Sequence, residues 1–389
     1  VLVTAMSGQP VQRMWGLSAA TGYALAAVAA TRRRRGREAA LIIALAGAIA
    51  APLVWQAALG ARMPKAGESS LTVVARSAVL LLQHGTPYLS ADKISHALQF
   101  DPYEPAMTIF GLPAAAGLHG AAGNPRLWLG ITTAVVLAAA FRLVHPGDAL
   151  RRTALALGSP VLALPLTTGL TDLPVLALLS LALAGTAAHP RRPVVRLVAA
   201  IALGAACAIK ATAWPALPII AAMLAVRHGG RAAIKFAATA LGTAITLALA
   251  TAPAAVTAPG ALVQNTVLFP LGLTRYQTAA ASPLPGHMLA AIGPGGRWAA
   301  IGLLGAASLA LAAALFIRPP ADLTASAWRL AVSLALLFAL APASRWGYFV
   351  YPAALLAFVP RTETERCPEG VDLAAGAIRP ILATGGWTS

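Results

Sequence analysis

Acidic residues are what this chain of 389 residues has least of, with 12 Asp plus Glu against 29 Lys plus Arg. Only 11% of its residues are charged and 6% aromatic, whereas 58% are hydrophobic. Soluble domains carry about 25% charge, so a water-soluble core is excluded. Its 2 cysteines, Cys207 inside an apolar run and Cys367 in a polar tail, exclude a disulfide framework. Metal-ligand spacings, a Walker loop, a nucleophile elbow and a dinucleotide fingerprint are all missing. The sequence therefore calls for no metal and no cofactor. No basic run precedes the first apolar stretch, and Arg32 to Arg35 follow it, which favours a retained helix over a cleaved signal.

What is present is apolar sequence in repeated lengths. Mean hydropathy is +0.74, and runs close to the ~20 residues needed to cross a bilayer recur along the chain. The expectation is an all-α, polytopic transmembrane helix bundle of about eleven or twelve membrane helices. One membrane domain covers 1–360, and a polar cytoplasmic tail covers 361–389. The excess of basic residues does not point to nucleic acid. They come as short clusters between apolar runs, at Arg32 to Arg35, Arg151-Arg152, Arg191-Arg192, Arg227 and Arg231, which is the positive-inside pattern of a multi-pass protein.

Threading the chain with these clusters on the cytoplasmic side leaves two long outer loops, about 60–105 and 253–297. In the first, Leu71, Val74, Ala75, Ala78, Leu81 and Leu82 recur at helical spacing and read as an amphipathic helix lying on the bilayer surface. Residues 106–122, broken by Gly111, Pro113, Gly117 and Gly120, read as a re-entrant segment, because a full crossing would put the next basic loop outside. The same threading gathers the scarce acids Glu68, Asp92, Asp101, Glu104 and Asp172 on the outer side. Lys210, Asn265, Arg275, His287, Arg345 and Tyr348 join them there.

Ionisable groups at membrane depth are costly and mark candidate sites. Asp172 stands between two apolar runs, where it could also cap the following helix. Lys210 closes an apolar run before Trp214, as an anion ligand or as a lysine snorkelling to the interface. Arg345 lies in an aromatic turn with Trp346, Tyr348 and Tyr351; such a fork suits a phosphate or a sugar face, and an ion pair with an outer carboxylate is the alternative. The second loop is rich in turns and contains Asn265 and His287.

Taken in order, several motifs look alike in one family. An acid in the first outer loop precedes Gly85-Thr86-Pro87-Tyr88, then Asp101-Pro102-Tyr103-Glu104-Pro105 leads into an apolar run. A small-residue helix ends at Lys210, and an aromatic turn opens the last helix. Over about 67–360 the chain resembles the polyprenol-phosphate-dependent GT-C glycosyltransferases, most of all glycosyltransferase family 87, the α-(1→2)-mannosyltransferase-like group. Glu68 stands where the family usually has Asp, Tyr103-Glu104-Pro105 where it has Tyr-Pro-Pro, and Arg345, Trp346 and Tyr348 where many members carry His.

The resemblance implies a plasma-membrane enzyme with an extracytoplasmic active site. It would transfer a hexose, with mannose the expected sugar, from a polyprenyl-phosphate sugar donor to a hydroxyl of a glycolipid or glycan acceptor, with inversion. Glu68 is the expected general base, and Asp101 or Glu104 the acceptor contacts or alternative base. Lys210 and Arg345, with Arg275 third, are placed at the donor phosphate; Tyr348, Asp172, Tyr103, Asn265 and His287 complete the substrate-binding set. The rival readings are a transporter or flippase, disfavoured because no internal repeat is found, and an inactive scaffold of the same fold, suggested by Glu68 in place of Asp.

Overall fold

A computed structural model describes Val1, Thr4, Met6 and residues 10–32, 34–60, 69–187 and 192–358. Glu68 and the tail 361–389 lie outside the described residues, as does most of the stretch that joins the second apolar run to the first outer-loop helix. Among the described residues the chain is all-helical, with no strand beyond a single bridge between Ala281 and Ser344.

The elements run α1 (Pro10–Ala30), α2 (Arg34–Leu45), α3 (Ala51–Gly60), α4 (Ser69–His84), α5 (Pro125–Val144), α6 (Ala149–Leu157), α7 (Pro160–Thr168) and α8 (Asp172–Ala187). They continue as α9 (Pro193–Ile209), α10 (Ala216–His228), α11 (Gly230–Thr251), α12 (Pro285–Ala291), α13 (Pro294–Ile317), α14 (Leu323–Leu340) and α15 (Val350–Phe358). A wider π turn, Ala46–Ala50, joins α2 to α3 without a break in direction.

Among the described residues five helical segments are long and apolar enough to cross a membrane: Gly36–Ala58, Pro125–Val144, Gly230–Thr251, Pro294–Ile317 and Leu323–Leu340. Shorter apolar helices, among them α8 and α9, accompany them. Fewer segments reach full length than the eleven or twelve expected, because Pro and Gly cut apolar runs into pieces: Gly158 closes α6, and Gly169, at φ +84°, ends α7.

At the centre is α8, which is apolar on every side and buried from Asp172 to Thr186. A helix without a polar face needs protein all round it. It packs against α5 on one flank and α9 on the other, and α9 in turn packs against α11. The α9–α11 contact is close because Gly204 sits beneath the backbone of Ala240, a small-residue packing common between membrane helices.

Two outer-side expectations meet the structure differently. Residues 106–122 do not form one crossing helix: a 3-10 stretch, Pro105–Gly111, passes into one helical turn, Leu112–Ala115, and then into turns. The stripe on α4 forms a helix, but Leu71, Val73, Val74, Ser77 and Ala78 are buried against protein, chiefly the Pro105–Gly111 stretch. Protein therefore covers Leu71, Val74 and Ala78 of that stripe, while Leu82 at its end is 61% exposed. An amphipathic stripe requires an apolar partner, and here the chain itself supplies it.

Gly111 makes that packing possible. A methyl group there would come within 2.2 Å of the Val74 carbonyl oxygen. Gly111→Ala is expected to cost about 1–3 kcal/mol through overpacking, read as a lower unfolding midpoint of the detergent-solubilised protein. An unchanged midpoint would mean that α4 is not held against this segment.

Candidate functional site

Where α8 begins and α9 ends, the structure brings Asp172 and Lys210 together. The Lys210 ammonium lies 2.5 Å from Asp172 Oδ1, with side-chain exposures of 9% and 0%. Helix α9 stops at Lys210 because that residue turns to extended backbone (φ −157°, ψ 136°), which aims its side chain at the first turn of α8. The ammonium also lies over two aromatic rings, 5.4 Å from the centre of Tyr103 and 4.9 Å from that of Tyr348. Both are within cation–π range.

Tyr351 is wholly buried beside this group, and its phenol oxygen accepts a hydrogen bond from Thr212 at 3.2 Å. Asp172 Oδ2 and the Thr171 hydroxyl are buried and make no hydrogen bond among the described residues. Lys210, expected as a free cation for a phosphate, is therefore already neutralised by Asp172.

The loop carrying Asp101 and Glu104 is fastened to the same place. The Glu104 backbone N–H donates to the Ile209 carbonyl at 3.2 Å, one residue from Lys210. The Tyr88 hydroxyl donates to the Tyr103 carbonyl at 2.8 Å. The charges of both Asp101 and Asp172 act on the Tyr103 phenol.

Asp101 is 3% exposed, and its Oδ1 accepts from the Tyr103 backbone N–H at 3.1 Å. Burial pushes its carboxyl up to about 7, against the opposing pull of that N–H and of the Arg76 charge. Glu104, half-buried, is also pushed up to about 7 by burial. Burial raises the phenols of Tyr88 and Tyr103 as well. Two carboxyls of the segment ahead of the Pro105–Gly111 stretch are thus raised toward neutrality by burial.

This gives a stability prediction whose sign can be worked out. An unfolded Asp loses its proton near 3.8, whereas folded Asp101 holds it to about 7. Between those values the folded state binds more protons, so this contribution is full below about pH 4 and is lost as pH rises to 7. Asp101→Asn keeps the acceptor for Tyr103 and removes the charge. It is expected to raise the unfolding midpoint at pH 8 and leave it nearly unchanged at pH 4, as measured by thermal unfolding in detergent. An equal effect at both pH values would rule out the buried carboxylate as the cause.

Other expected residues have structural employment. Asn265, fully buried, accepts from the Asp101 N–H at 2.8 Å and donates to the Leu89 and Ala261 carbonyls at 3.1 and 2.8 Å. It pins the segment around Leu89 and Asp101 to the one around Ala261, and has no donor left for a substrate. His287 Nδ1 lies 3.0 Å from the Pro342 carbonyl, tying α12 to the turn after α14. Asp92 is exposed, outside the cluster. The Arg275 guanidinium lies over the Tyr276 ring at 5.6 Å.

Arg345 is half-buried, three residues before Tyr348, whose N–H bonds to the Arg345 carbonyl. Its guanidinium makes no hydrogen bond or ion pair among the described residues. Of the expected set, the structure thus brings together Asp101, Tyr103, Glu104, Asp172, Lys210 and Tyr348.

Arg76 is the residue that the sequence reading passed over. Its guanidinium donates to the carbonyls of Leu98 and Gln99 at 2.8 Å each and of Phe100 at 3.4 Å, closing the loop ahead of Asp101. The signal was a lone cation between Val74 and Ala78 on an apolar stripe, where a charge needs fixed acceptors. Thr171 and Thr212 had no comparable signal.

No protein-family description, curated protein or solved structure matches the chain.

Proposed function

We propose that the chain is a membrane glycosyltransferase that moves a hexose, with mannose as the expected sugar, from a polyprenyl-phosphate donor to an acceptor hydroxyl. The observation that carries this reading is the pair of outer-loop carboxyls, Asp101 and Glu104, poised at about 7 beside the Lys210–Tyr103–Tyr348 cluster. A general base works best when its pKa lies near the working pH. Glu104 is the better candidate, because Asp101 is sealed from solvent and its Oδ1 is already engaged.

In this reading the Glu104 carboxylate takes the proton of the acceptor hydroxyl as that oxygen attacks the sugar C1. The C1–O bond to phosphate breaks on the opposite side, inverting the centre, and the phosphate leaves with the electron pair. Arg345, three residues before Tyr348 and without an ion pair among the described residues, is the cation left to meet that developing charge, and donors at a leaving group act most strongly out of water. Lys210, already paired with Asp172, lies over Tyr103 and Tyr348 rather than holding phosphate. The site would face the extracytoplasmic side of a plasma membrane, with a glycolipid or glycan as acceptor.

The test is transfer of radiolabelled mannose from polyprenyl-phosphate mannose in membranes with and without the chain. A labelled product that requires the chain is the expected result. No transfer from any polyprenyl-phosphate hexose to any membrane acceptor would count against catalysis and favour a scaffold.

A further inference from the structure

Between α10, α13 and α14 runs a cavity of about 680 Å³, whose lining includes no residue of the acid cluster. Its walls are largely apolar, built from residues such as Pro218, Ala222, Leu311, Val332 and Leu336, and Arg329 is the one charged residue lining it among the described residues. Helix α13 is the reason the space exists: of its 24 residues only Ala300 is buried, so it stands off from the bundle along its length. Small side chains on its inner face, Ala307 and Ala312 among them, leave the gap unfilled.

The cavity is polarised. Arg329 lies near the start of α14, close to where α13 ends, and donates one N–H to the Ala314 carbonyl at 3.2 Å. Its guanidinium has four further N–H donors, and no other bond to them is seen among the described residues. Phe316 and Trp328 flank this mouth and are 91% and 54% exposed. The acid cluster is at the other end of α14, where the chain leaves Leu340 for the Tyr348 turn. From Phe316 back to Leu304 the wall runs twelve residue steps along α13, or about 18 Å at 1.5 Å per step. That is a little over half of the ~30 Å hydrocarbon thickness, and so the depth of one leaflet.

We infer that this cavity binds one acyl chain of an anionic phospholipid, with the headgroup phosphate at Arg329. A largely apolar slot one leaflet deep, with one cation among the described residues at its mouth, matches an amphiphile whose charge and chain are separated in the same way. Arg329 shares its end of the bundle with Arg318 and, by the distribution of basic clusters, with the cytoplasmic leaflet, whose anionic lipids attract such residues. The headgroup site does not depend on the proposed transferase activity, because Arg329 lies at the opposite end of α14 from the turn that carries Tyr348.

The test is native mass spectrometry of the purified full chain, released from detergent after equilibration with phosphatidylglycerol or phosphatidylcholine. Wild type is expected to retain one phosphatidylglycerol with about fivefold preference over phosphatidylcholine, the effect of one cation near the headgroup. Arg329→Gln is expected to remove the preference, and Arg329→Lys to keep most of it. Ala312→Trp, which fills the slot without touching Arg329, is expected to lose retention of both lipids. Equal retention of the two lipids by wild type would overturn the inference. So would a preference that survives Arg329→Gln, or stronger retention of a polyprenyl monophosphate than of phosphatidylglycerol.

Discussion

Lys210→Met is expected to destabilise the protein by about 3–5 kcal/mol, the usual cost of leaving one partner of a buried ion pair alone. Asp172 would then keep both oxygens in a site from which water is excluded, one of them already without a partner. Asp172→Asn is expected to be milder, because the ammonium would still lie over Tyr103 and Tyr348, and a desolvated cation–π contact is worth up to ~2 kcal/mol. The double change Asp172→Asn, Lys210→Met should recover most of the loss, since replacing both members of a buried pair with uncharged groups of similar volume is often close to neutral. Thermal unfolding of the four proteins in one detergent measures this. Singles that unfold like wild type would mean that the pair is solvated. A double as unstable as the sum of the singles would mean that the side chains matter for shape and not for charge.

This pair also shows how far sequence reading reaches. Asp172 and Lys210 could each be flagged, because a charge at the end of an apolar run is expensive wherever it sits. That they meet depends on α8 and α9 running side by side in one register across 38 residues, which no local pattern states. The helical class followed from apolar runs alternating with arginine clusters, and the broken segment after Pro105 from its Gly and Pro content. The face of α4 was legible as a stripe, but periodicity is the same whether protein or lipid covers it. Asn265 looked like a polar loop residue open to substrate; its bond to the Asp101 N–H spans 164 residues of sequence and turns it into a fastening. Arg76 was hidden for the same reason, its acceptors being carbonyls of a loop whose path was unknown.

Glu104→Gln is expected to lower transfer by about 10²- to 10⁴-fold, the contribution typical of a general base. The fall should appear in kcat and not in KM, because glutamine keeps the size and the hydrogen-bonding capacity that an acceptor hydroxyl meets on binding. The fastening of the loop would survive, since the bond to the Ile209 carbonyl is made by the Glu104 backbone. Asp101→Asn should have a smaller effect, because that carboxyl is buried and acts through the Tyr103 N–H it holds. The pH profile gives an independent check. A base works only when ionised, and Glu104 keeps its proton to about 7, so the rate in wild type should climb through pH 7 and level off above it. If Asp101→Asn abolishes transfer while Glu104→Gln spares it, the base is Asp101 and Glu104 merely borders the acceptor. If both variants keep full activity with a flat profile, neither loop carboxyl takes the proton, and the role returns to Glu68, the acid at which the resemblance first placed it.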